Sequence, residues 1–225
     1  VLTSDGKEIK RIKIIGSPEN FCSTHAGNIL VQTQSSTRLE SNLISLLDKD
    51  GNLIKGFGVI KEYRDKNLTN LGNNVQMRVD NNDNIYVAFY EQNRIEKYST
   101  EGELIFRVDR PLNYELGVNE ESSIVLPPEL QGGRTITLTM FSLASENIDI
   151  DHRNRIWVQT YKKQKEEGDK PSDYLELEIY NDDGILLGKL PIPENFKNMR
   201  IFNDRLYLID RNEEMCVYEY KIVEK

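Results

Sequence analysis

Histidine, cysteine and tryptophan are nearly missing: the 225 residues hold two, two and one of them. Two cysteines, Cys22 and Cys216, build no disulfide framework, and each reads as a small buried apolar residue. Two histidines, His25 and His152, are too few for a histidine zinc site or a His-dependent triad. No apolar run approaches the ~20 residues of a membrane-spanning helix, and no signal-peptide pattern opens the chain. Positive charge is in deficit, 29 Lys and Arg against 37 Asp and Glu for a net −8. That balance argues against a nucleic-acid groove or an anionic membrane surface as the main partner, because both demand basic patches. The one basic run, Lys162-Lys163-Gln164-Lys165, is followed by Glu166, Glu167 and Asp169 and reads as a solvated loop. Sustained helical periodicity is absent as well.

What the chain does have is a repeated phrase. Leu2-Thr3-Ser4-Asp5-Gly6, Leu47-Asp48-Lys49-Asp50-Gly51, Tyr98-Ser99-Thr100-Glu101-Gly102 and Tyr180-Asn181-Asp182-Asp183-Gly184 each read as a β-turn between strands. A short strand (D) follows each turn and another (C) precedes it. Upstream lies the most apolar strand (B), at 29–34, 85–90, 156–161 and 206–209, rich in β-branched and aromatic residues. A further strand (A) leads into it through tight turns at Ala26-Gly27-Asn28, Asn81-Asn82-Asp83-Asn84, His152-Arg153-Asn154-Arg155 and Asn203-Asp204. The unit is a four-stranded antiparallel meander, A-B-C-D, which cannot bury its apolar face alone and must stack on its neighbours. Tandem meanders of this kind are the blades of an all-β propeller.

The phrases Val79 to Ala88 (VDNNDNIYVA), Tyr98 to Val108 (YSTEGELIFRV) and Ile148 to Gln159 (IDIDHRNRIWVQ) resemble the NHL-repeat and bacterial six-bladed propellers. The resemblance covers most of the chain except 110–145. It implies a single propeller domain over 1–225, with a partial blade at 1–15, blades at 16–58, 73–109 and 146–192, an insertion at 110–145, and a blade lacking its last strand at 196–225. N-terminal truncation of a six-bladed parent is the expectation, since Val1 to Gly6 already supplies a turn from a preceding strand C. The other arrangement is a compact ring in which 7–14 completes the last blade. The resemblance also implies an extracytoplasmic location, and it specifies fold far better than function.

In such a meander the A-B and C-D turns share one face, and the B-C loops and blade connections share the other. The long segments 35–42, 58–74, 110–145 and 162–173 all fall on the second face, where insertions in a repeat array mark the binding surface. The longest, 110–145, contains Thr135 to Phe141, which reads as a strand of an added hairpin. Tyr114, Arg134 and Phe141 are its candidate contact residues, Arg134 because a guanidinium offers a planar fork of donors. The expectation is a non-catalytic recognition or scaffold propeller that binds a protein, peptide or glycan there without a cofactor.

One register position of strand A carries an amide in every copy: Asn20, Gln76, Asn147 and Asn198. Strand A is innermost, so these amides line the mouth of a central channel, or else satisfy backbone groups at the strand entrance. The alternative function is a divalent-cation-dependent hydrolase or lyase. Calcium-dependent lactonase-like propellers hold their metal at the channel mouth, and Glu19, Asn20, Glu146 and Asn147 are the residues reminiscent of that site. Alternation, however, sends each Glu to the opposite side from its Asn. Asp80, Asn82, Asn84 and Glu91 match part of a calcium-loop spacing, but Ile85 stands at the glycine position. Arg78, Arg200 and Asp149 are expected to form ion pairs between blades.

Overall fold

The computed structural model describes residues 5–8, 10–12, 18–33, 42–125, 135–194, 196–210 and 216–223. Three four-stranded antiparallel sheets follow the order β1-β2-β3-β4, β5-β6-β7-β8 and β11-β12-β13-β14, and a fourth holds β15-β16-β17. We number these blades I to IV. Blade I comprises Pro18–Ser23, Ile29–Thr33, Asn42–Leu47 and Leu53–Val59. Blade II comprises Val75–Val79, Ile85–Phe89, Arg94–Tyr98 and Leu104–Asp109. Blade III comprises Ser145–Ile150, Ile156–Tyr161, Leu175–Tyr180 and Leu186–Pro191. Blade IV comprises Phe196–Phe202, Arg205–Asp210 and Val217–Lys221. Between blades II and III a separate hairpin pairs β9 (Val118–Val125) with β10 (Thr135–Phe141), as the alternating Thr135 to Phe141 run suggests.

The chain is thus all-β, and its four-stranded antiparallel sheets are the blades of a β-propeller. The inner strands β1, β5, β11 and β15 pack on one another in that order. The apolar core lies between blades, in three clusters. Leu30, Leu43, Ile44 and Phe57 of blade I meet Val75, Met77, Val87 and Phe89 of blade II. Tyr86, Ala88 and Ile95 of blade II meet Ile148, Ile156 and Val158 of blade III. Trp157, Leu177 and Tyr161 of blade III meet Met199, Ile201 and Leu206 of blade IV. Period-two alternation explains this: one face of each sheet looks back along the array and the other looks forward.

The A-B turns are capped from within. Asp80 accepts from the backbone N–H of Asn82 and Asn84 and from the Tyr86 hydroxyl, at 2.8, 2.9 and 3.1 Å. Asp151 repeats this with Arg153, Arg155 and the Trp157 indole N–H, at 2.9, 3.0 and 3.0 Å. Tyr86 and Trp157 therefore occupy equivalent sites in strand B, facing Arg78 and Asp149 across the pair. The expected ion pairs form, with Asp149 3.5 Å from Arg78 and 3.9 Å from Arg200.

Each C-D turn docks on the strand D before it. A Cβ on Gly102 (φ +74°) would stand 2.7 Å from the Phe57 ring, and one on Gly184 (φ +80°) 2.7 Å from Val108. Lys55, four residues beyond Gly51, donates to the Glu101 carbonyl at 2.7 Å. Lys10, four residues beyond Gly6, donates to the Lys49 carbonyl at 2.9 Å and pairs with Asp50. The N-terminal segment thus touches blade I as β4 touches blade II. Among the described residues β17 pairs with β16 alone and carries no strand on its outer edge.

Candidate functional site

Three connections build the long-loop end of the molecule, and hydrogen bonds root each of them. After β4 the chain turns into the short helix α1 (Lys66–Leu71), whose first turn is closed by the Asp65 carboxylate accepting from the Leu68 N–H at 2.9 Å. Asn73, fully buried, ties that segment down through the Lys61 N–H at 2.9 Å and the Lys61 carbonyl at 2.8 Å. The segment after β12 ends in a second short helix, α2 (Pro171–Tyr174), and there Tyr174 stacks on Tyr161 with ring centroids 5.6 Å apart.

The insertion between blades II and III is fastened at its neck by Arg110, which is 0% exposed. Its guanidinium donates to the Ser145 hydroxyl at 2.7 Å, the Ala144 carbonyl at 3.1 Å, the Glu178 carboxylate at 3.1 Å and the Thr160 hydroxyl. Burial pushes the Glu178 carboxyl up, but Arg110, Lys189 and the Tyr180 hydroxyl outweigh it and hold the group below the usual carboxylate range. Tyr114 adds a second fastening, its hydroxyl donating to the Leu143 carbonyl at 2.7 Å. A third is the Ser142 N–H bond to the Gly117 carbonyl at 2.9 Å.

Two of these segments, the one after β4 and the insertion, flank a cleft of about 550 Å³ over blade II, where the β6–β7 loop is short. Val59, Ile60, Lys61 and Tyr63 form one wall, Leu116, Gly117, Val118 and Phe141 the other, and Glu91 to Arg94 with Arg107 the floor. Tyr63 and Phe141 meet edge to face, with centroids 5.1 Å apart. Arg94 and Arg107 are engaged: Arg94 donates to the Val59 carbonyl at 2.9 Å and lies 3.5 Å from Glu96, and Arg107 holds Asp109 at 2.7 Å. Glu91 is different. Its Oε2 is shielded from solvent and, among the described residues, accepts no hydrogen bond. Burial pushes its acid up to about 8.

Of the residues singled out from the sequence, Phe141 lines this cleft, whereas Tyr114 is part of the neck and Arg134 lies outside the described residues. The four recurring amides do share one register position, opposite Gln32, Ala88, Gln159 and Ile209. Asn20 donates to the Val75 carbonyl at 2.8 Å and Asn147 to the Met199 carbonyl at 3.0 Å, so each ties its inner strand to the next blade's. Gln76 donates to the Tyr90 hydroxyl. The Asn147 side-chain oxygen accepts from the Ile148 N–H at 3.0 Å and from Arg78 at 3.3 Å, and Glu146 accepts the Tyr161 hydroxyl at 2.5 Å. The Glu19 side chain lies outside the described residues. Among the described residues no three His, Cys, Asp or Glu side chains are grouped to hold a metal ion.

One further amide does the same work. Gln32 donates to the Asn73 carbonyl at 2.6 Å and accepts from the Val75 N–H at 3.1 Å, bracketing the entrance to β5. Gln159 holds the equivalent register place in blade III, but its side-chain oxygen is buried and, among the described residues, accepts no hydrogen bond. The recurring Val31-Gln32-Thr33 and Val158-Gln159-Thr160 in strands that are otherwise apolar carried that signal.

No protein-family model matches the chain, and neither does any curated protein. Among solved structures it is similar to a streptogramin B lyase, at 18% identity over 92% of this chain and 70% of that one, TM-score 0.38. It is also similar to BamB from Moraxella catarrhalis, at 14% identity over 93% of this chain and 59% of that one, TM-score 0.44. The WD40 domain of Neurospora crassa Pan2 follows at 11% identity over 86% and 59%, TM-score 0.34. Superpositions this loose fix neither blade number nor activity. The sheets of the chain itself carry the fold, and among the described residues no helix is long and apolar enough to cross a membrane.

Proposed function

We propose that this chain is a non-catalytic recognition propeller of the NHL-like, six-bladed kind, located outside the cytoplasm, which binds a protein or peptide through its long-loop face. The observation that carries the reading is the cleft over blade II, walled by two inter-blade connections and open where the β6–β7 loop is short. Its walls are held by buried side chains such as Asn73 and Arg110, so the surface is formed before any partner arrives, which lowers the ordering cost of binding. On the opposite face the described A-B turns leave a smaller hollow, about 250 Å³, between His25, Asn81, His152 and Asn203. The reading needs no cofactor.

Selection of a displayed peptide library on the purified chain tests it. Peptides so obtained should lose at least about tenfold in affinity, some 1.4 kcal/mol, on Phe141→Ala. His25→Gln and His152→Gln, in turns on the other face, should leave affinity unchanged. Sensitivity to the histidine changes with indifference to Phe141→Ala would place the working surface on the wrong side of the molecule.

A further inference from the structure

Resting on that recognition reading, we propose that the cleft over blade II receives a carboxylate of the bound peptide, held by Arg94, Lys61 and Arg107, while an adjoining apolar side chain of the peptide lies against Tyr63 and Phe141. Across the chain acids outnumber bases, 37 to 29, yet the lining of this cleft reverses the balance: Lys61, Arg94 and Arg107 stand against the one carboxyl of Glu91. Glu62 and Glu115, beside the lining in sequence, and Glu96 and Asp109, which pair with its arginines, are not part of it. An excess of one sign between low-dielectric walls concentrates the field that an incoming anion meets.

The donors are in place and only partly spent. Arg94 is 5% exposed, and its guanidinium is fixed 4.0 Å over the Phe89 ring. Among the described residues it donates one hydrogen bond, to the Val59 carbonyl. Its Nε lies 3.5 Å from Glu96, shielded from solvent and without a hydrogen bond, and its Nη1 has no acceptor among those residues. Glu96 is itself divided, since it also accepts the Tyr98 hydroxyl at 2.6 Å. Arg107 gives Nε and Nη2 to one oxygen of Asp109, which leaves its Nη1 unspent. The Lys61 ammonium stands 5.1 Å over the Tyr63 ring and donates to no described residue. A buried cation with unspent donors costs free energy, and a carboxylate, with two oxygens that each accept more than one bond, matches the guanidinium fork. Burial pulls Arg94 below the usual guanidinium range and Glu96 offsets only part of that, so an arriving anion has a penalty to relieve. Burial pushes the Glu91 acid up to about 8, so at neutral pH it is mostly uncharged and does not cancel the cations.

The test uses the whole chain and three short peptides: Gly-Phe-Glu-Phe-Gly capped at both ends, its glutamine counterpart, and that glutamine peptide with a free C-terminal carboxylate. Titration followed by NMR should show saturation by at least one carboxylate peptide and none by the neutral one. The tighter of the two tells an acidic side chain from a chain terminus as the source. Arg94→Gln should weaken that binding at least about tenfold, as loss of a charged donor does. Because Arg94 also braces the Val59 carbonyl, the exposed Lys61→Gln serves as a second variant, with a loss of about threefold and an unchanged thermal midpoint. Lys49→Gln, which removes the same charge from an exposed turn on the other face, should leave affinity unchanged. Equal binding of the neutral peptide, no saturation by either carboxylate peptide, tighter binding of a lysine counterpart, or equal sensitivity to Lys61→Gln and Lys49→Gln would overturn the assignment. If library-selected peptides respond to Phe141→Ala yet bind as well once their carboxylates are replaced by amides, recognition by this face stands and the carboxylate site falls.

Discussion

Replacing Arg110 with methionine should be among the most damaging single changes this chain can suffer, although the residue sits in a connection rather than in a strand. The guanidinium is 0% exposed and donates to Thr160, Glu178, Ala144 and Ser145. Methionine fills much of the volume, but it takes the buried guanidinium from Glu178, leaving that anion to Lys189 and the Tyr180 hydroxyl, and it removes the donor that the Ser145 hydroxyl accepts from. Breaking one side of a buried pair costs about 3–5 kcal/mol. Against a total stability of about 5–15 kcal/mol that is a large share. At roughly 2–4 °C per kcal/mol for a domain of this size, the thermal midpoint should fall by about 6–20 °C. Scanning calorimetry at neutral pH reads it directly. Because the folded Glu178 carboxyl lies below its ordinary value, the stability it contributes is present above about pH 4.3 and disappears as pH falls through the lower folded value. Parent and variant should therefore converge in acid. Arg110→Met combined with Glu178→Leu should recover at least half of the loss, since most of the penalty is a buried anion left short of its main partner. A single variant within about 1 kcal/mol of the parent at neutral pH, where surface changes usually fall, would refute the reasoning.

The remaining predictions are smaller. Gly184→Ala places a Cβ 2.7 Å from Val108 at a backbone φ of +80°, and urea titration should show a loss of about 1–3 kcal/mol. Asp151→Ala removes the acceptor of the Trp157 indole and should cost about 1–3 kcal/mol. Trp157 is the one tryptophan, so its emission should shift to the red in the folded variant as water reaches the blade III–IV interface. Glu91→Gln should stabilise the protein at pH 8 and do little at pH 4. Stability tied to a raised acid is intact below its unfolded value near 4.5 and drains as pH rises towards about 8, and a neutral amide escapes that loss. Thermal midpoints of parent and variant that stay parallel across this range would contradict it.

The blades were legible because their signals are local. Asp80, Asp151, Asp48, Ser99 and Asn181 each cap a turn with side-chain oxygens a few residues away, and the apolar strands Ile85–Phe89 and Ile156–Tyr161 sit where burial on both faces requires them. The β9–β10 hairpin showed through the alternation of Thr135 to Phe141. The helix α1 did not, because six residues are too few to display a period. Arg110 was illegible for a different reason: its partners Thr160 and Glu178 come from blade III, and nothing beside it in sequence marks it as buried. Tyr114 stood out as a candidate contact residue, yet its hydroxyl is spent on the Leu143 carbonyl. Glu91 entered the sequence reading only through the calcium-loop spacing. In the fold it lies beyond the far end of β6 from Asp80, which is why that spacing gathers no ligands. Its burial depends on the segments bearing Tyr63 and Phe141, neither of which is its sequence neighbour.

The cleft over blade II exists because one loop is short while the connections beside it are long. Its depth is a difference in length between neighbours, so it can be edited without touching a single strand. A few residues added within Glu91-Gln92-Asn93 would fill it, and a few removed from the β9–β10 hairpin would flatten it, while the three inter-blade cores stayed as they are. A repeat array arranged in this way separates the inheritance of stability from the inheritance of specificity. The shape of that surface can change while every turn and every buried strand residue stays as it is.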